Sequence, residues 1–458
     1  MVSEFQAVVM AGGVGNRMTN LTNHVVKSSL PIANVPMFWY PLNFLAKNRI
    51  TDVLLVITDK ITKDVEMEMK DKLQFPEFAV EMNIKVISLP QNDEDWGTFK
   101  ALLHIQSHIT RDFIVVSGDF ISDVSLVNLL KMHRANQSSV TCLLSSKPVT
   151  GTTPGSENAK PIKYRDFIGL NKKDNRLVFM IPEDDFDESS KSLDVFKRFR
   201  DVELSANYQD CHVYVMKKYV LDICCINEDI NAIKGELLPM LLEQQVYHLD
   251  QKSVELIEAN NKDVFKEDAK NDKKRFETSE SNEANEVLHN FDKTDMLKCY
   301  AYIIKPEDGN FTARCNTIAS YFETCKSIVP YLTDCFYTPR RHALNVNHLK
   351  VHNSLLSETV KFLVADGESG ITAINRSVIN YATAIRHKTT IADSIVMNTV
   401  KIGKGVVIKN SIICPNVTIG DDVELNDCIV TSGYQQITKG KYSNKLFAEE
   451  AKEMILDD

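Results

Sequence analysis

Four columns of aliphatic residues recur at a spacing of seventeen in the last third of the chain, and this period narrows the fold more than any other feature. One column is Ile374, Ile391, Ile408 and Leu425. A second is Val378, Ile395, Ile412 and Ile429; a third is Ile379, Val396, Ile413 and Val430; a fourth is Ile385, Ile402 and Ile419. A small residue precedes the second column in every repeat: Ser377, Ser394, Ser411 and Cys428. Within one period the aliphatic steps run 5, 6 and 6. Three short strands and three corners per coil satisfy that rhythm, with small residues where side chains crowd inside. Hexapeptide-type spacing of this kind signals a parallel β-helix, in which each coil covers the next. The strands of a sandwich would explain alternation but not aligned columns.

The first half reads differently. Residues 5–11 (FQAVVMA) form an apolar strand that breaks into Gly12-Gly13-Val14-Gly15, and further strands are predicted at 52–58, 84–89 and 113–117, the last ending in Gly118-Asp119. Helix-length segments lie between them at 36–47, 97–108 and 124–134, with Asp123 placed to cap the last. Continuous apolar strands alternating with helices mean an α/β fold with a doubly wound, mostly parallel sheet. Two inserts interrupt it. Residues 145–161 are loop chemistry throughout. Residues 261–286 carry 14 charges in 26 positions, too few apolar groups to offset their ordering entropy, so this insert is predicted to be disordered or loosely helical.

A net charge of −9 argues against a broad nucleic-acid surface, and no apolar run reaches the roughly 20 residues of a membrane helix. Residues 1–5 are polar and lead straight into a strand, so no signal peptide is expected. The ten cysteines contain no Cys-x-x-Cys pair, which leaves a reduced cytosolic chain with mostly buried thiols as the simplest reading. His104 with His108, and His348 with His352, are four apart, but neither pair has a third ligand nearby in sequence. Tyr40, Pro41, Leu42 and Leu45 read as core, not as a cofactor box. No metal and no cofactor is expected.

The residues able to carry chemistry gather at strand ends. Gly12, Gly13 and Gly15 let backbone N–H groups approach a phosphate, and Arg17 has the charge to neutralise it. The loop lacks the Gly-Lys-Ser/Thr of a Walker loop, and Met18 stands where a Rossmann fingerprint needs its third glycine. Lys27 follows shortly after, ahead of residues 30–36 (LPIANVP). Asp119 lies at the carboxyl end of a central strand, where open α/β sheets place ligands, and a carboxylate there suits Mg²⁺ bound to phosphates.

Together these residues resemble the sugar-1-phosphate nucleotidyltransferases, whose pattern G-G-x-G-T-R-L-x-P-L-T-x-x-x-P-K-P is matched by Gly12, Gly13, Gly15, Arg17, Leu21, Thr22 and Lys27. Gly97-Thr98 resembles the family's G-T-A element near the base. The resemblance implies a left-handed β-helix after the catalytic fold, as among mannose-1-phosphate guanylyltransferases. The departures are specific. Asn16 replaces the family's Thr, and Asn20, Val26 and Ser28 replace its prolines. Ile181-Pro182-Glu183-Asp184 stands where the family has Glu-Lys-Pro, whose lysine grips the sugar phosphate. The second metal-binding Asp, in an Asp-Ile-Gly context, is expected at residues 299–303 (CYAYI), which hold no carboxylate.

Residues 4–11, Arg17-Met18-Thr19, residues 165–169 (RDFIG) and residues 217–222 (KKYVLD) look like one branch of that family, the gamma-type subunits of translation initiation factor 2B. The related epsilon type continues beyond its β-helix into a helical catalytic domain, whereas this sequence stops at Asp458. The resemblance implies a subunit of a guanine-nucleotide exchange complex, with no transferase activity of its own. It acts with an epsilon-type subunit and the other subunits of factor 2B on translation initiation factor 2, with no direct nucleic-acid or membrane contact. Gly12, Gly13, Gly15, Arg17, Lys27 and Asp119 are then a vestigial nucleotide pocket. An active mannose-1-phosphate guanylyltransferase, or its regulatory subunit, is the alternative. The expected organisation is a nucleotidyltransferase-like domain over 1–330, a connector and degenerate first coil over 331–370, the left-handed β-helix over 371–443, and a short helix over 444–458.

Overall fold

A computed structural model describes the chain except for residues 1–3, 14, 24, 72–74, 91–95, 147–152, 156–165, 183–198, 200, 225–229, 246–251, 260–295, 338–348, 365–369, 433, 435 and 449–458. The charged insert at 261–286 and most of 145–161 therefore lie outside the described residues.

Seven strands form the N-terminal sheet, in the order Cys299–Ile304, Val140–Ser145, Gln209–Met216, Phe113–Ser117, Gln6–Met10, Asp52–Thr58, Asn83–Leu89. All are parallel except Gln209–Met216, which runs antiparallel to both its neighbours. Both faces of its inner parallel strands are buried, which is why they read as unbroken apolar runs, while the edge strand Asn83–Leu89 is partly exposed. Val9, Leu55 and Val116 join one core, while Val8, Leu54 and Val115 join the other. The helix Trp39–Lys47 is buried on nearly every side, and Tyr40, Leu42 and Leu45 are core residues. The predicted helix at 124–134 begins later, at Val127, with Leu126 at its N-cap. Asp123 serves elsewhere: its Oδ1 accepts the Phe311 N–H at 2.7 Å.

The C-terminal region is three parallel strand stacks of six, six and five strands. Ile374, Ile391, Ile408 and Leu425 pair in register, as do Ile385, Ile402 and Ile419. Those columns and the one from Ile379 to Val430 fill the coil's interior. Burying an aliphatic side chain of this size contributes about 1.5–3 kcal/mol, so the stack is held by many equal increments. At one corner Arg376, Asp393, Asn410, Asp427 and Asn444 all take left-handed backbone angles, φ 44 to 52°. Four of the five are Asn or Asp, which tolerate that region best. The small residues after them form a ladder. Ser394 Oγ donates to the Ala392 carbonyl at 2.6 Å and accepts the Ser411 N–H at 3.2 Å, and Ser411 Oγ does the same with Lys409 and Cys428.

The second column points the other way. Val378, Ile395, Ile412 and Ile429 leave the coil and join the α/β core that contains Tyr321 and Cys325 of the helix Ile318–Ser327. Asn34 Nδ2 donates to the Ile379 carbonyl at 3.3 Å, and the Gly155 N–H to the Asp427 carbonyl at 2.8 Å, so polar contacts cross the same seam. Strand pairing begins at Leu349 and extends to Phe447, where Leu446–Phe447 adds to Ile429–Val430. The helix expected over 444–458 is thus a strand at 446–447, and residues 449–458 lie outside the description. No helix among the described residues is long and apolar enough to cross a membrane.

Candidate functional site

The order of the sheet reverses between Gln6–Met10 and Phe113–Ser117, and the two strands end side by side. Open α/β sheets form their ligand crevice at such a switch point. Gly118 N–H donates to the Met10 carbonyl at 2.9 Å, and a Cβ on Gly118 would sit 2.9 Å from Met10 O and Ala11 Cα. Only glycine lets the strand ends approach this closely. Beyond them opens a cleft of about 200 Å³ whose lining includes Gly12, Gly13, Lys27, Trp96, Asp119, His212 and Arg314. Gly15 adopts φ 83°, turning the chain beneath Lys27; Arg17 is exposed on the short helical turn Asn16–Met18 and is not among the lining residues.

Asp119 is the hub of the cleft. Its Oδ2 accepts from Lys27 Nζ, and its Oδ1 accepts from Ser117 Oγ at 2.7 Å and from Arg314 Nε at 3.1 Å. Burial alone would raise the pKa of this carboxyl. The charges of Arg314 and Lys27, with the hydrogen bonds from Lys27 and Ser117, outweigh it and hold the group well below the usual carboxylate range. Arg314 arrives through the short strand Thr312–Arg314, which pairs antiparallel with Phe120–Ser122, Arg314 opposite Phe120. The Cys315 N–H then donates to the Asp119 carbonyl at 2.9 Å. Behind the cleft, Asp210 is fully buried and accepts from the Tyr214 hydroxyl and the His212 N–H, and Lys234 pairs with Asp166 at 2.7 Å. Burial first, then the charges of Arg314 and Lys234, push His212 far down, so its ring is neutral at physiological pH.

Four of the six sequence-derived candidates, Gly12, Gly13, Lys27 and Asp119, come together at this cleft. One expectation is corrected. The place of a second acidic ligand was expected at 299–303, but Cys299–Ile304 is the far edge strand, three positions from Phe113–Ser117, the strand that leads into Asp119. The residue facing Asp119 is Arg314, a cation. Sequence reading passed over it because it lies 195 residues from Asp119, and its signal was a lone arginine just before the capping box Thr317–Ser320. Gly97-Thr98, expected near a base, is occupied from within the protein. The Gly97 N–H donates to Asn231 Oδ1 at 2.9 Å and the Phe99 N–H to the Asn231 carbonyl at 2.8 Å, while Thr98 Oγ1 accepts the Ile233 N–H at 3.0 Å. Among the described residues no group of three His, Cys, Asp or Glu side chains is arranged to hold a metal ion.

The switch-point cleft and the coil that follows it define a nucleotidyltransferase-like domain joined to a hexapeptide β-helix. Residues 6–153 match the Nucleotidyl transferase family, and residues 347–427 match the GlmU-like C-terminal hexapeptide family, whose coils are those of a left-handed β-helix. The chain is 30% identical to the Caenorhabditis elegans translation initiation factor eIF2B subunit gamma over 78% of its own length and 77% of that protein. It is 28% identical to the Schizosaccharomyces pombe subunit gamma over 71% of its length and 65% of that protein, and 25% identical to the subunit epsilon of the same organism over 51% and 34%. The chain belongs to the family of translation initiation factor eIF2B gamma subunits.

Proposed function

We propose that this chain is a non-enzymatic subunit of the factor 2B complex. In the cytosol it acts beside an epsilon-type subunit to support exchange of GDP for GTP on translation initiation factor 2. Its own transferase site is degenerate, and Gly12, Gly13, Gly15, Arg17, Lys27 and Asp119 remain as a vestigial nucleotide pocket. The observation that carries this reading is the guanidinium of Arg314 against Asp119. Nucleotidyl transfer relies on a divalent cation to spread charge on the reacting phosphate and orient it. Here both carboxylate oxygens of Asp119 are engaged, Oδ2 by Lys27 and Oδ1 by Ser117 and Arg314, so two fixed cations already face the group that would have to hold a metal.

The test is direct. Incubated with GTP, mannose 1-phosphate and Mg²⁺, the purified chain releases no pyrophosphate, whereas turnover near the ordinary enzyme range of about 1–10³ per second overturns the reading. In parallel, the tagged chain co-purifies with an epsilon-type subunit. Adding it to that subunit accelerates GDP release from translation initiation factor 2.

A further inference from the structure

Arg314 does more than pair with Asp119. Only its Nε is donated to Asp119, and neither terminal nitrogen of the guanidinium has a hydrogen-bond partner among the described residues. Its side chain is 15% exposed and lines the cleft, as does that of Lys27 at 17%. The amide groups of Gly12 and Gly13 are likewise without partners among the described residues, at the edge of the same cleft. The charges that front the opening are thus two cations and one carboxylate. The remaining ones, Lys234, Asp166 and the fully buried Asp210, lie behind His212 and outside the lining. Unused planar N–H pairs, an ammonium and successive backbone amides suit a phosphate oxygen array.

We propose that the cleft binds the diphosphate group of a phosphorylated ligand without any divalent cation. The guanidinium of Arg314 and the ammonium of Lys27 neutralise the charge that a metal would otherwise carry. This rests on the reading of the site as non-catalytic, because a metal-dependent transferase needs Asp119 free. The same geometry limits the ligand. Asn231 fills the space beside Gly97, where an added Cβ would lie 2.3 Å from its oxygens, and consumes the polar groups that would read a base. Recognition is therefore of the diphosphate and not of what is attached to it.

Calorimetric titration of the full chain with inorganic pyrophosphate in EDTA tests the proposal. Saturable binding is expected, and GTP under the same conditions should bind within about threefold of pyrophosphate. Excess Mg²⁺ should weaken both, by complexing the anion. The informative variant is Gly13→Leu, since a Cβ at Gly13 meets nothing within 4 Å and the fold has no reason to respond. It should keep the wild-type melting temperature and lose at least tenfold in affinity. Arg314→Met should lose affinity as well, and Gly13→Leu keeps the test valid if that variant is unstable. Four outcomes overturn the proposal: no binding in EDTA, binding only with Mg²⁺, undiminished binding by folded Gly13→Leu, or a GTP preference above tenfold. Pyrophosphate release from GTP would instead defeat the earlier reading of the site, so the two failures are told apart.

Discussion

The β-helix and the cleft satisfy their buried polar groups in opposite ways. In the coil, each Ser of the ladder bonds the backbone two residues behind it and the coil seventeen residues ahead, and the next Ser repeats this. No single residue is unique, so stability is spread over near-identical increments. In the cleft, four side chains brought together from positions 27, 117, 119 and 314 make one network with no duplicate. A repeat tolerates drift while its period survives. A site of this kind has no spare copy, so one substitution at Asp119 or Arg314 upsets its charge balance. The seam between the two regions is neither: the column from Val378 to Ile429 has the coil's period but belongs to the α/β core.

The largest effect should come from Ile402→Asp. Ile402 is 2% exposed and pairs in register with Ile385 and Ile419. A carboxylate there is buried without a partner and costs several kcal/mol, unless the coil opens to water. Because the seam joins the coil to the α/β core, the damage should not stay local. Thermal unfolding of the variant should show the α/β domain melting earlier too, and the epsilon-type partner should be lost on co-purification. An unchanged melting step for the α/β domain would mean that the two regions are thermodynamically separate despite their shared apolar cluster. Partner retention by an unfolded coil would place the partner's contact on the α/β domain.

The coil was legible because its signal is periodic: columns at 374, 379 and 385 state both the spacing and the inward face. The second column was not, since a residue beside an inward one must point outward, and sequence alone does not say what waits there. Apolar runs such as 52–58 and 113–117 gave the strands within a residue or two, because both faces of those strands are buried. Gly12, Gly13, Lys27 and Asp119 were legible as chemistry at strand ends. Arg314 and Asn231 were not, because their roles depend on long-range pairing that brings residue 314 to 119 and residue 231 to 97.

The middle-sized effect tests whether the cleft is one network. Removing one charge from a buried cluster strands the others, which typically costs about 3–5 kcal/mol, while replacing both partners of a pair is often far milder. Arg314→Met and Asp119→Asn should each destabilise the chain strongly in urea titration, and the double variant should cost clearly less than the sum. Asp119 has a depressed pKa in the folded state, so its contribution is complete above the unfolded value near 4 and disappears only as the pH falls below that. The single variants should therefore show their full cost above about pH 4 and converge on the wild type only as the pH falls below that. Additive costs across the cycle would show that Arg314 and Asp119 are neighbours without being coupled.

The smallest effect concerns the loop that carries Lys27, which is held from behind by a second unusual acid. Ser29 Oγ donates to Glu68 at 3.0 Å, joining the helix Thr62–Lys70 to the turn Lys27–Ser29. Burial pushes the Glu68 carboxyl up to about 7, with Asp64 adding to the rise and the Ser29 hydrogen bond opposing it. A folded-state pKa above the unfolded value near 4.3 means that the folded protein favours the protonated acid. The resulting stability is complete below about pH 4 and is lost as the pH rises through about 7, a change on the order of 2 kcal/mol. The wild type should therefore lose a few degrees of melting temperature between pH 5.5 and 8.5, and Glu68→Gln, neutral throughout, should flatten that slope. Lys27 hangs on the same turn, so the slope should also appear in pyrophosphate affinity, weakening it above pH 7 in the wild type but not in Glu68→Gln. Parallel slopes in the two proteins would remove Glu68 from the account and leave the cleft's network as the α/β domain's one sensitive point.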